Sequence, residues 1–112
     1  MSNRAALFTV ATLLATVCPT ASTLALAEPT GDSDAGHRLA QTWCSTCHVV
    51  GPEQDRATST GAPTFTAIAA MKTATPSRLH VFFQRPHHRM PDLHLSNTEM
   101  DDVIAYIVSL RK

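Results

Sequence analysis

Cys44-Ser45-Thr46-Cys47-His48 places two thiols three positions apart and an imidazole directly after the second. Residues three apart on a helical turn share a face, so both sulfurs address the same side. Two cysteines at this spacing followed by histidine form the attachment signature of a c-type haem. Each sulfur makes a thioether with a vinyl group, and the neutral imidazole of His48 supplies one axial bond to iron. The opposite side then needs a second ligand, which sets the chemistry. Other uses of such a pair fit less well. A redox disulfide of the thioredoxin kind sits beside a βαβ pattern, which this sequence lacks. A structural zinc site needs three or four ligands, and no second cysteine pair completes one. Chance occurrence is decided by what lies downstream.

These residues have to be held by a small chain. The sequence has 112 residues and a formal net charge of zero, which points to one small domain. Part of the length reads as an address. A short start with Arg4, an apolar run from Ala5 to Val17 and an Ala25-Leu26-Ala27 end have the form of a secretory signal peptide cleaved after Ala27. Residues 1–27 are then removed and 28–112 form the domain. An uncleaved anchor is disfavoured because threonines break the apolar run and it is short for a span. A lipid anchor on Cys18 is disfavoured by Val17, a poor small residue to precede it, so Cys18 goes with the signal. The remaining chain keeps Cys44 and Cys47, too few for a disulfide framework in an exported protein. A domain of this size needs a staple, a metal or a cofactor. Covalent haem attached outside the cytoplasm answers that need, and the expected location is periplasmic.

Four helical segments are expected and no convincing strand, which makes the domain all-α. Asp34 is read as the N-cap of a helix through Trp43, with Leu39 and Trp43 on one face and Gly36 on an adjacent one. Val49 to Gly61 reads as a surface loop. Ala62-Pro63-Thr64 leads into a short helix with Phe65, Ile68 and Ala69 inward. Thr75 caps a third helix with Pro76 at its first position, and Leu79, Phe82 and Phe83 repeat at core spacing before Pro86 stops it. Arg85 to Leu93 is an extended loop restricted by Pro86 and Pro91. Ser96-Asn97-Thr98-Glu99 matches a capping box, with Leu95 and Met100 placed as its hydrophobic staple. Met100, Val103, Ile104 and Ile107 then form an apolar stripe with Tyr106 beside it.

In this order the motifs resemble a small monohaem class I cytochrome c, from about Gly36 to Leu110. The resemblance implies the cytochrome c fold, with about four short helices wrapped around one covalently bound haem c. It makes Cys44 and Cys47 the thioether attachments, His48 the proximal iron ligand and Met90 the distal one. The Pro63 carbonyl would accept a hydrogen bond from the other ring nitrogen of His48, and Gly36 would mark where the first helix crosses the last, against Tyr106. The loop from Val49 to Gly61 follows no fixed pattern, which leaves the cover of one haem edge open. Independently of the resemblance, a thioether is a soft, neutral ligand suited to an iron that changes charge without changing coordination. Met100 is accounted for as a staple, Met71 as a core residue at a helix end. His87, His88 and His94 flank Met90 as rival iron ligands or as a zinc or copper cluster, and read best as loop histidines.

A haem with both axial positions filled has no open coordination site, which favours an electron carrier over an enzyme. The expected function is single-electron transfer between a donor and an acceptor redox protein. Alternatives are a haem subunit of a periplasmic dehydrogenase or oxidase complex, or a sensor with a displaceable sixth ligand. From Met71 to Met90 the charged residues are Lys72, Arg78, Arg85 and Arg89 with no acid, whereas Glu99, Asp101 and Asp102 follow on the last helix. Such a basic patch suits an acidic docking face on a partner, although the same residues make an ordinary solvated face. No nucleic-acid partner and no stable membrane insertion after signal cleavage are expected.

Overall fold

The computed structural model describes residues 30–58, 61–85 and 89–112. The expected signal peptide with Cys18, and the expectations for Pro86, His87 and His88, lie outside these residues. Among the described residues four helices run in chain order: α1 Ser33–Trp43, α2 Phe65–Ala70, α3 Pro76–Phe83 and α4 Asn97–Ser109. There is no strand among the described residues, so the expected all-α class holds. None of the helices is long and apolar enough to cross a membrane.

α4 is the hub on which α1, α2 and α3 all pack, α1 most extensively. Its start is the capping box read from the sequence: the Ser96 hydroxyl accepts from the Glu99 N–H while the Glu99 carboxylate accepts from the Ser96 N–H at 2.8 Å. Each satisfies a backbone donor that the first helical turn leaves over. Val103, Ile104 and Ile107 then become almost fully buried, and Tyr106 joins them at 7% exposure. Burying each of these aliphatic side chains contributes about 2 kcal/mol. α2 and α3 are too short to persist alone. Thr64 and Thr75 cap them, Pro76 opens α3 as expected, and burial of Phe65, Ala69 and Leu79 fixes them to the core. His80 on α3 approaches Asp101 on α4 at 3.6 Å. The Arg111 guanidinium donates to the Ala74 carbonyl, tying the chain end to the α2–α3 connection.

Two expectations are corrected. The N-cap of α1 is Asp32, not Asp34: its carboxylate accepts from the N–H groups of Asp34 and Ala35. Asp34 falls inside the first turn, where a negative charge complements the helix dipole. Gly36 lies where α1 crosses α4, closest to the backbone of Asp102 and Val103, with Tyr106 stacked on the adjacent His37. A Cβ at Gly36 would stand 1.9 Å from the Asp102 carbonyl oxygen, so only glycine permits this approach. Met71 is not a core residue, being the half-exposed C-cap of α2. The inward repeat on α3 is also narrower than its spacing implies. Leu79 is buried and Phe83 packs against the core, whereas Phe82 turns outward in edge contact with Phe83.

Candidate haem-attachment site

α1 delivers Cys44 as its C-cap, with the Cys44 N–H bonded to the Ala40 carbonyl at 2.9 Å. The chain then makes one more turn, with the N–H groups of Cys47 and His48 both bonded to the Cys44 carbonyl at 3.1 and 2.9 Å. This keeps the two thiols on one turn, as the spacing predicts. Both are free cysteines, Cys44 buried and Cys47 partly so. Burial, reinforced by the neighbouring Cys47, pushes the Cys44 thiol up to about 11. A thiol-disulfide catalyst needs the opposite shift toward thiolate, and with no strand among the described residues the βαβ setting is missing too.

The His48 Nδ1 lies 2.6 Å from the Pro63 carbonyl oxygen. A carbonyl can only accept, so Nδ1 carries a proton, and in the neutral ring Nε2 is then the nitrogen with the free lone pair. That is the tautomer a metal-ligating imidazole requires. The Phe65 ring, 5.4 Å from the His48 ring, flanks it and continues to Tyr106 at 6.2 Å and His37 at a further 4.5 Å. Pro63 reaches His48 because the loop between them is closed at its neck by the Phe65 N–H on the Val49 carbonyl, 3.0 Å.

Met90 stands in a different part of the chain, half-buried at a small cavity lined by Phe83, Pro91, Leu93 and Leu95 among others. It follows Arg89, whose φ of 77° is a left-handed conformation that few non-glycine residues adopt. His94, with φ of 49°, is exposed and lies 3.5 Å from the Asp92 carboxylate. No group of three or more His, Cys, Asp or Glu suited to a metal ion occurs among the described residues.

The loop from Val49 to Gly61 contributes residues that its sequence does not reveal. The Gln54 carboxamide bonds the backbone at Ser45, His48 and Val50. Glu53 accepts from His37 Nε2 at 2.8 Å and from Gln41 Nε2 at 3.1 Å. The His37 hydrogen bond, first among several, holds the Glu53 carboxyl below the usual carboxylate range. The Tyr106 hydroxyl donates to the Val50 carbonyl at 2.7 Å, and burial, with Glu53 nearby, raises the phenol above its ordinary value. A polar stretch without periodicity carries no local signal for such partners.

The donor set fits a covalently held haem: two thiols on one turn, and an imidazole whose free nitrogen is defined by its hydrogen bond. Large apolar side chains remain substantially exposed at Trp43, Met71, Val81 and Phe82. Comparison with known proteins agrees. A family model for cytochrome c matches residues 33–111, and the chain belongs to the cytochrome c family. It is therefore an electron carrier that binds haem c covalently. Cytochrome c-552 of Bradyrhizobium diazoefficiens is 43% identical over 81 residues, a match spanning 70% of this chain and 77% of that protein. No solved structure gives a significant match.

Proposed function

We propose that this protein is an exported carrier that moves single electrons between redox partners, with Cys44 and Cys47 as the thioether attachments and His48 and Met90 as the axial ligands. The observation that carries the reading is the 2.6 Å contact between His48 Nδ1 and the Pro63 carbonyl, on the residue directly after the second thiol. When bound, the haem supplies an iron that accepts and releases one electron. The rest falls to the chain. Pro63 holds the imidazole in one tautomer and raises the basicity of Nε2. The Phe65 ring flanks the imidazole at 5.4 Å and is itself backed by Tyr106. Met90 offers a soft, neutral sulfur whose affinity changes little as the iron changes charge.

Export and a periplasmic location are supported by the signal-like residues 1–27. Lys72 and Arg78, both exposed, with Arg85 and Arg89, support a partner bearing an acidic docking face. The purified protein is expected to be red and to keep its colour through acid-organic extraction, as thioether-bound haem must. Met90→Ala is expected to lower the midpoint potential, alter the optical spectrum and let carbon monoxide bind the reduced protein. An unchanged spectrum and potential in that variant would remove Met90 as the ligand. Rapid carbon monoxide binding by the unaltered protein would favour a sensor.

A further inference from the structure

We infer that Gln54 is a positioning residue for His48, an inference that rests on His48 being the axial ligand proposed above. Once α1 has ended, the carbonyls of the Cys44–His48 turn have no following helical N–H groups to meet. Thr46 finds the Thr58 N–H at 3.0 Å and Val49 finds the Phe65 N–H. The Ser45 and His48 carbonyls instead both accept from Gln54 Nε2, at 2.7 and 2.9 Å. The Arg56 carbonyl lies 3.1 Å from the same nitrogen, so three oxygens share its two hydrogens. On the other side of the carboxamide, Oε1 accepts from the Val50 N–H at 3.0 Å.

The His48 carbonyl and the Val50 N–H flank a single residue, Val49. One amide group that donates to the first and accepts from the second does what a neighbouring backbone does in a sheet ladder. It fixes the peptide planes on both sides of Val49, directly after the imidazole. The amide is itself held, because the Gln54 N–H bonds the Gly51 carbonyl at 3.2 Å. The preceding residue, Glu53, is fixed to α1 through His37 and Gln41. His48 is thus held twice. Pro63 sets the ring through Nδ1, and Gln54 sets the main chain from which the ring projects.

The chemistry requires glutamine. Glutamate has the same shape and can keep the Val50 N–H, but it loses both donors and sets an anion against three carbonyl oxygens. Methionine keeps the length and loses every hydrogen bond.

The test uses the holoprotein in its ferric state. The spread of the hyperfine-shifted haem-methyl proton resonances depends on the plane of the axial imidazole, and is recorded with the midpoint potential and the thermal midpoint. Gln54→Met is expected to change the resonance spread and shift the potential, whereas Asp55→Asn in the same turn leaves both unchanged. A Gln54→Met protein with a lower thermal midpoint but the native resonance pattern and potential would reduce Gln54 to a brace and overturn the inference. Should that variant not accumulate, Gln54→Glu takes its place, and a native pattern there counts equally against it. The underlying reading is separable. Loss of the imidazole-ligated signal in His48→Ala supports His48 as ligand whatever Gln54 does, and its persistence would sink that assignment.

Discussion

The Tyr106 hydroxyl donates to the Val50 carbonyl at 2.7 Å, joining residues 56 positions apart. It links the hub helix to the segment that follows the Cys44–His48 turn. Tyr106→Phe keeps the ring and its stacking on His37 but leaves a buried carbonyl without its partner. The expected cost is about 1.5 kcal/mol, read as a lower urea midpoint of the holoprotein with an unchanged slope.

Two glycines are predicted to differ in the size of their effect. Gly36→Ala drives a methyl group into the Asp102 carbonyl, backbone against backbone, and neither helix can yield without loosening the core. A loss of about 3 kcal/mol is expected. Gly61 has φ of 97° and nothing within 4 Å of its missing Cβ. Gly61→Ala therefore costs only its backbone strain, about 1 kcal/mol. Thermal unfolding of the two variants side by side checks the order.

Acid should weaken the fold through three carboxylates held below their ordinary values. Asp32 is lowered by the backbone N–H groups of Ala35 and Asp34, Glu53 first by His37, and Glu99 first by the Ser96 side chain. A lowered folded value means that the ionised group stabilises above its unfolded value and that this stability is lost as pH falls through the folded one. The ordinary values are 3.8 for Asp32 and 4.5 for the two glutamates. Denaturation midpoints should therefore fall as pH drops below 4.5, and Glu99→Gln should make that fall shallower.

How far the sequence could be read depended on whether a partner was local. The capping box at Ser96 and Glu99, the Thr75-Pro76 start and the apolar stripe of α4 are short-range patterns, and each appears in the structure as expected. Asp32 and Asp34 are equally good caps by type. The choice between them involves Asp102, whose carboxylate takes the Asp32 N–H at 2.7 Å, and that contact is invisible along the chain. Gln54 shows the same limit more sharply. Its role comes from three backbone groups that meet only after the turn has closed. Met71 differs for another reason: spacing gives a side chain's face but not whether the core reaches that far along the chain.

Charge gives a kinetic prediction. If Lys72, Arg78, Arg85 and Arg89 steer an acidic partner, electron transfer to that partner should slow by about tenfold from low to high salt. Lys72→Glu combined with Arg78→Glu should remove most of this dependence in stopped-flow measurements. A rate indifferent to salt would place docking elsewhere.

The crossing of α1 and α4 also bears on the order of events during synthesis. Asp32 and Asp102 meet from 70 residues apart, so the contacts that close the core join the beginning of the domain to its last helix. Such non-local closure is slow and has to await α4. Cys44, buried once the core has closed, stays accessible on the nascent chain until then. Closure of the core and burial of the Cys44 thiol are thus one event, set by the docking of α4.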